Sequence, residues 1–136
     1  MSSGLKIIAV GDICPGYKAI MGMGAMTKSK KVGVDFFFDN VRPLLQNADL
    51  AIGNLEGVLS DAVRGPQAAE LTFTSVPEFA VALSSAGFHP INVANNHTLE
   101  HGPGLFQETI GLLKKAESPH AACAAVHRNT GPIRSY

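Results

Sequence analysis

An α/β fold is predicted by three features of this 136-residue sequence. Short apolar runs recur at 5–10, 50–55 and 91–94, the first rich in β-branched residues and each closed by glycine or a polar residue, as in the buried strands of a parallel sheet. Segments with apolar residues at helical spacing lie between and after them. The resulting order, β-α-β-(β)-α-β-α, is that of a sheet covered by crossover helices.

The first strand, 5–10, stops at Gly11-Asp12. Residues 15–33 then form a glycine- and methionine-containing loop with Lys28, Lys30 and Lys31 and no period. Phe37, Val41, Leu44 and Leu45 predict a helix over about 35–46, in which Pro43 marks either a kink or a start. Asp49 leads into the second strand, 50–55, which Glu56-Gly57 ends. After a polar stretch, 71–74 reads as a short extended piece. Ser75-Val76-Pro77-Glu78 has the S-x-x-E spacing of a capping box with proline placed early, which predicts a helix over 77–86, stopped by Gly87. The third strand, 91–94, runs into Asn95-Asn96-His97. Leu105, Phe106, Ile110, Leu112 and Leu113 make the apolar face of a last helix, with lysines at its C-terminal end where the helix dipole favours them.

The length suits one domain, 1–136, and 46% hydrophobic with 16% charged residues excludes a disordered chain. Eleven basic residues balance eleven acidic ones, so no net field draws nucleic acid or an anionic membrane. No run approaches the ~18 apolar residues of a membrane span. The run at 7–10 falls short of the ~7–15 residues of a signal core, so the chain as written is expected in the cytoplasm. Cys14 and Cys123 form no C-x-x-C pair, which disfavours a zinc knuckle or a disulfide framework.

The chemistry is suggested by the groups at the strand ends: Asp12 after the first strand, Glu56 after the second, Asn96-His97 after the third. Any one of these is more commonly a turn or cap residue. Together they are roughly 40 residues apart, which leaves room for a crossover between parallel strands and brings all three to one sheet edge, where ligands of open α/β sheets bind. Oxygen and imidazole donors of this kind suit Mn, Fe or Zn. Two such ions sharing a bridging carboxylate would activate water for in-line attack at phosphorus, so hydrolysis of a phosphate ester is the reaction type implied.

Gly11-Asp12, then Ala48-Asp49-Leu50-Ala51-Ile52-Gly53-Asn54-Leu55-Glu56-Gly57, then Ser85-Ala86-Gly87-Phe88 leading to Ala94-Asn95-Asn96-His97-Thr98-Leu99-Glu100, resemble the bacterial capsule and poly-γ-glutamate synthesis proteins of the CapA/PgsA type. The resemblance covers about 5–125. It implies a calcineurin-like metallophosphatase fold, an α/β/β/α sandwich with a dinuclear divalent-metal site, of which this chain is an N-terminal portion. By the same resemblance Asp12 is the first metal-binding Asp, Glu56 the bridging carboxylate, Asn96 the Asn ligand, and His97 the group that gives a proton or hydrogen bond to the reacting centre. The substrate implied is phosphorylated or related to poly-γ-glutamate, and family members can be membrane-anchored. Cys14 stands where the phosphatase D-x-H motif has His, and Glu100 and His101 stand where the family has Asp and an aromatic. The family's later G-H-x-x-H motif does not occur after His97.

The other candidates favour plainer readings. Gly22-Met23-Gly24 with the nearby lysines matches no phosphate-loop spacing, and the methionines suit packing over an apolar edge. His120 and His127 read as surface or structural histidines, Cys14 as a small buried residue, and Phe36-Phe37-Phe38 as helix core. Two rival functions stand beside the hydrolase. One is a catalytically incomplete fragment that binds a partner chain supplying missing strands. The other is a small nucleotide-binding domain of flavodoxin-like kind.

Overall fold

The computed structural model describes residues 4–16, 33–64 and 73–116. Most of the lysine- and methionine-containing loop, the 71–72 part of the predicted extended piece, and His120 and His127 lie outside them. Among the described residues the fold is α/β, as predicted. Strands β1 (Ile7–Ile13), β2 (Leu50–Leu55) and β5 (Ile91–Asn92) form an all-parallel sheet in the order β1-β2-β5. A second parallel pair joins β3 (Val58–Leu59) to β4 (Thr74–Ser75). Helices α1 (Arg42–Gln46), α2 (Glu78–Ala86) and α3 (Gly102–Ala116) complete it. No helix of the described residues is long and apolar enough to cross a membrane.

The central strand β2 alternates half-buried and buried residues, with Ala51 and Leu55 fully buried. It is therefore the sheet's anchor. The core around it joins Leu45, Phe79, Leu83, Phe88, Ile91, Val93, Ile110 and Leu113. Phe38 binds this core together, its ring lying 5.5 Å from that of Phe79 and 5.7 Å from that of Phe88. Of the Phe36–Phe38 run expected to be core, only Phe38 is buried, and Phe36 is exposed.

Three expectations are corrected. The first strand runs on to Ile13, through Gly11 and Asp12, and among the described residues it is an edge strand rather than a buried one, with Ile7 53% and Val10 40% exposed. The segment expected as one helix over 35–46 splits into a 3-10 turn, Asp35–Phe38, and the short α1, because Pro43 lies in the first turn of α1 and so starts a helix rather than continuing one. The helix expected over 77–86 is α2, with Pro77 at its N-cap, and Ser75 also lies in β4, its carbonyl accepting from the Ser60 N–H at 2.9 Å. The third strand is shorter than expected, ending at Asn92.

Two glycines shape the end of the sheet. Ala9 pairs with Ile52 and Asp12 with Asn54, so Val10 and Gly11 together face Gly53, a β-bulge. A Cβ on Gly53 would crowd the side chains of Ile13, Val10 and Phe88, so these three pack closely over the bulge where Gly53 leaves room. Gly57 has φ +105°, and a Cβ there would overlap the Phe73 carbonyl, which accepts from Val58 N–H at 2.9 Å. Gly57→Ala is expected to destabilise the chain by about 2–3 kcal/mol, from left-handed strain and a lost hydrogen bond, read as a lower urea midpoint.

Candidate functional site

The bulge in β1 decides where its carboxylate goes. Without the extra residue Asp12 would face Leu55; with it, Asp12 is in register with Asn54, and Asn54 in turn with Asn92 on β5. Register partners in a parallel pair share a sheet face, so each strand contributes one polar side chain to the same row. Glu56 lies directly after β2, its N–H donating to the Ile13 carbonyl at 3.0 Å. The turn after β5 brings His97 to this edge. Asp12, Glu56 and His97 thus sit at the carboxyl ends of the parallel strands, the position expected of them.

The row is hydrogen-bonded from end to end. Asn54 Nδ2 donates to Asp12 Oδ1 at 2.6 Å, and Asn54 Oδ1 accepts from Asn92 Nδ2 at 2.7 Å and Asn95 Nδ2 at 3.2 Å. Asn95 Nδ2 also reaches the Leu55 carbonyl at 2.8 Å. The far ends of both amides are occupied: Asn92 Oδ1 accepts from the Ala94 N–H and Asn95 Oδ1 from the His97 N–H, each an Asx turn spanning two residues. The Thr98 hydroxyl donates to the Val93 carbonyl and accepts from the Asn95 N–H, closing the turn beneath His97.

His97 is held on three sides. Its Nδ1 lies 2.8 Å from Glu100 Oε2, its Nε2 lies 3.5 Å from Glu56 Oε1, and Phe73 stacks on the ring at 3.8 Å between centroids and 25° between planes. A proton on Nδ1 therefore has a carboxylate acceptor in hydrogen-bond reach, and Nε2 faces a second carboxylate at longer range. Phe73, at φ +48°, is placed by the same Gly57 contact that fixes β3. Asn96, the residue singled out as a ligand, is exposed, whereas its neighbour Asn95 anchors the turn.

Cys14 is exposed rather than buried. Partial burial pushes its thiol above the ordinary value, a backbone hydrogen bond from Gly16 opposes this, and the Glu56 and Asp12 carboxylates push it further up. Both acids thus act on one point, and among the described residues neither is paired with Lys or Arg. Such concentrated negative charge, on oxygen donors, fits a divalent cation chemically. No group of three His, Cys, Asp or Glu able to enclose an ion occurs among the described residues, so Asp12 and Glu56 would furnish part of a coordination shell. Because the thiolate is the reactive form, Cys14 is expected to alkylate slowly with iodoacetamide at pH 7 and faster as pH rises. Glu56→Gln removes one of the charges that raise its pKa and should speed the reaction at pH 7, followed by mass spectrometry of the Cys14 peptide.

Asn54, Asn92, Asn95 and Phe73 were not anticipated from the sequence. The available signal was an asparagine at the end of two strands, Asn54 and Asn92, in step with Asp12 once the bulge is allowed for.

Comparison with known proteins converges on one group. Residues 6–125 match the family described as "Bacterial capsule synthesis protein PGA_cap". The chain is 32% identical over 116 residues to the "Capsule biosynthesis protein CapA" of Bacillus anthracis, covering 83% of this chain and 27% of that protein. It is 28% identical over 107 residues to the "PGA biosynthesis protein CapA" of Bacillus subtilis (strain 168), covering 78% of this chain and 27% of that one. A protein of Sinorhizobium fredii named only as uncharacterized, y4sH, is 28% identical over 123 residues, 87% of this chain and 24% of its own length. The chain spans about a quarter of the length of the curated relatives it matches.

Proposed function

Because this chain belongs to the bacterial capsule synthesis protein family PGA_cap, we propose that it is the site-bearing N-terminal portion of a divalent-metal-dependent phosphoesterase-type hydrolase serving capsule or poly-γ-glutamate synthesis. The observation that carries this reading is the bracketed His97, between Glu56 and Glu100, on the same sheet edge as Asp12. In it Asp12, Glu56 and Asn96 hold the cation, and the substrate is phosphorylated. When bound, a divalent cation supplies Lewis-acid polarisation of a phosphoryl oxygen. The chain's own residues do the rest. Glu100 orients the imidazole through Nδ1, Phe73 fixes the ring plane, and Nε2 presents a proton to the leaving oxygen.

The reading is tested by elemental analysis and by hydrolysis of p-nitrophenyl phosphate with added Mn2+. Metal bound by the wild-type chain, lost in Asp12→Ala with the melting transition preserved, together with Mn2+-dependent hydrolysis, is the expected result. Unchanged metal content in Asp12→Ala would sink the assignment.

A second reading is favoured by β1, which among the described residues pairs with β2 alone and where Leu5 is 72% exposed beside Ile7 and Val10. An unpaired, apolar strand edge is a template for another strand. On this reading the chain is a module completed by a partner. A well-dispersed monomer with a cooperative melt counts against it, and concentration-dependent association on gel filtration counts for it.

A further inference from the structure

We infer that Asn54 is a positioning residue for Asp12, and that the Asp12–Asn54–Asn92/Asn95 row orients the carboxylate that is to meet a divalent cation. The inference rests on the proposed ligand role of Asp12. An asparagine side chain has one acceptor end and one donor end, and which end faces a neighbour is decided by the surrounding bonds. Here they leave one arrangement. The Ala94 and His97 backbone N–H groups must be received by Asn92 Oδ1 and Asn95 Oδ1, which turns both Nδ2 groups toward Asn54. Two donors converging on Asn54 Oδ1 then turn its Nδ2 to Asp12 Oδ1, at 2.6 Å. The row therefore has a single polarity, starting at backbone N–H groups of the 93–98 turn and ending on a carboxylate.

The consequence for Asp12 comes from its setting. It lies exposed on an edge strand just past a bulge, where its own backbone does little to restrict the side chain. One oxygen held by Asn54 confines the carboxylate to a narrow set of rotamers and leaves Oδ2 as the oxygen with lone pairs to spare. A neutral donor does this without the competing positive charge that a Lys or Arg would bring to a cation site. The same row ties that orientation to the turn carrying His97, since Asn95 contacts both Asn54 and the His97 N–H.

The experiment measures Mn2+ affinity by electron paramagnetic resonance on the full chain and on Asp12→Ala, Asn54→Ala and Asn92→Ala, with thermal melts of each. Side-chain amide NMR of Asn54 is recorded in parallel. Wild type is expected to bind, Asp12→Ala to lose binding, and Asn54→Ala to bind about 10- to 100-fold more weakly, the usual range for partners that orient a ligand. Asn92→Ala should lose less, because Asn95 still donates to Asn54 Oδ1, and it serves as the readout should Asn54→Ala fail to fold. Asp12→Ala should move the Asn54 δ-NH2 resonances. Affinity that falls only in step with the melting temperature would mark the row as merely structural and overturn the inference. No Mn2+ bound by wild type, or undiminished binding by Asp12→Ala, overturns the ligand reading and the inference with it. Binding lost in Asp12→Ala but intact in Asn54→Ala overturns the inference alone.

Discussion

Phe79→Ala is expected to cost about 3–5 kcal/mol, the range for deleting a buried aromatic ring. Phe79 is 2% exposed, on the inner face of α2, and its ring contacts those of Phe37 at 6.2 Å and Phe38 at 5.5 Å. Phe38 in turn reaches Phe88, just ahead of β5. Removing the ring takes a shared partner from both Phe37 and Phe38, and Phe38 is itself held against Phe88, so the 3-10 turn cannot collapse far into the space. Against a total stability of about 5–15 kcal/mol this is a large fraction, and the urea midpoint should fall by about a fifth or more. Val81, on the same helix but 58% exposed, is the control: Val81→Ala should stay within about 0.5 kcal/mol. Equal losses from the two substitutions would show that α2 is not packed as described.

How far the sequence reveals this molecule differs from element to element, for physical reasons. β2 is legible to the residue because a central strand is apolar on both faces and flanked by polar stops. β1 is equally apolar, so the same signal appears, yet composition does not say how many neighbours a strand has, and its exposure goes unread. The pair β3 and β4 has only two residues on each side, too few for a period. Ser75 has the capping spacing and also ends β4, a long-range pairing that the local pattern does not record. At the site, Asp12, Glu56 and His97 are legible because ionisable groups directly after apolar strands stand out. The asparagines do not stand out, since Asn is also a very common turn former, and only the bulge puts Asp12 into their row. Phe73 stacks on His97 from a distant part of the chain, which no local pattern records.

If the chain hydrolyses phosphoesters as proposed, His97→Ala should lower kcat by about 10²–10⁴ with KM little changed, the signature of an interaction made mainly in the transition state. The argument starts from placement. The imidazole is clamped by Glu100 at Nδ1, faces Glu56 at Nε2 and lies flat against Phe73, so it loses little freedom when it passes a proton. Glu100→Gln keeps an oxygen acceptor for the Nδ1 proton but removes the charge that stabilises the ring once protonated, so its effect should be smaller than that of His97→Ala and should again fall on kcat. Glu100→Asp, the acid that the resembled family carries at this position, should recover part of the loss if the shorter side chain still reaches Nδ1. Phe73→Leu retains bulk but not the flat contact, and should act on kcat in the same direction. A structural role alone predicts a different pattern, in which all four variants lose activity in proportion to folded fraction. Full kcat in His97→Ala, with Asp12→Ala inactive under the same conditions, would remove His97 from the reaction while leaving the cation site in place.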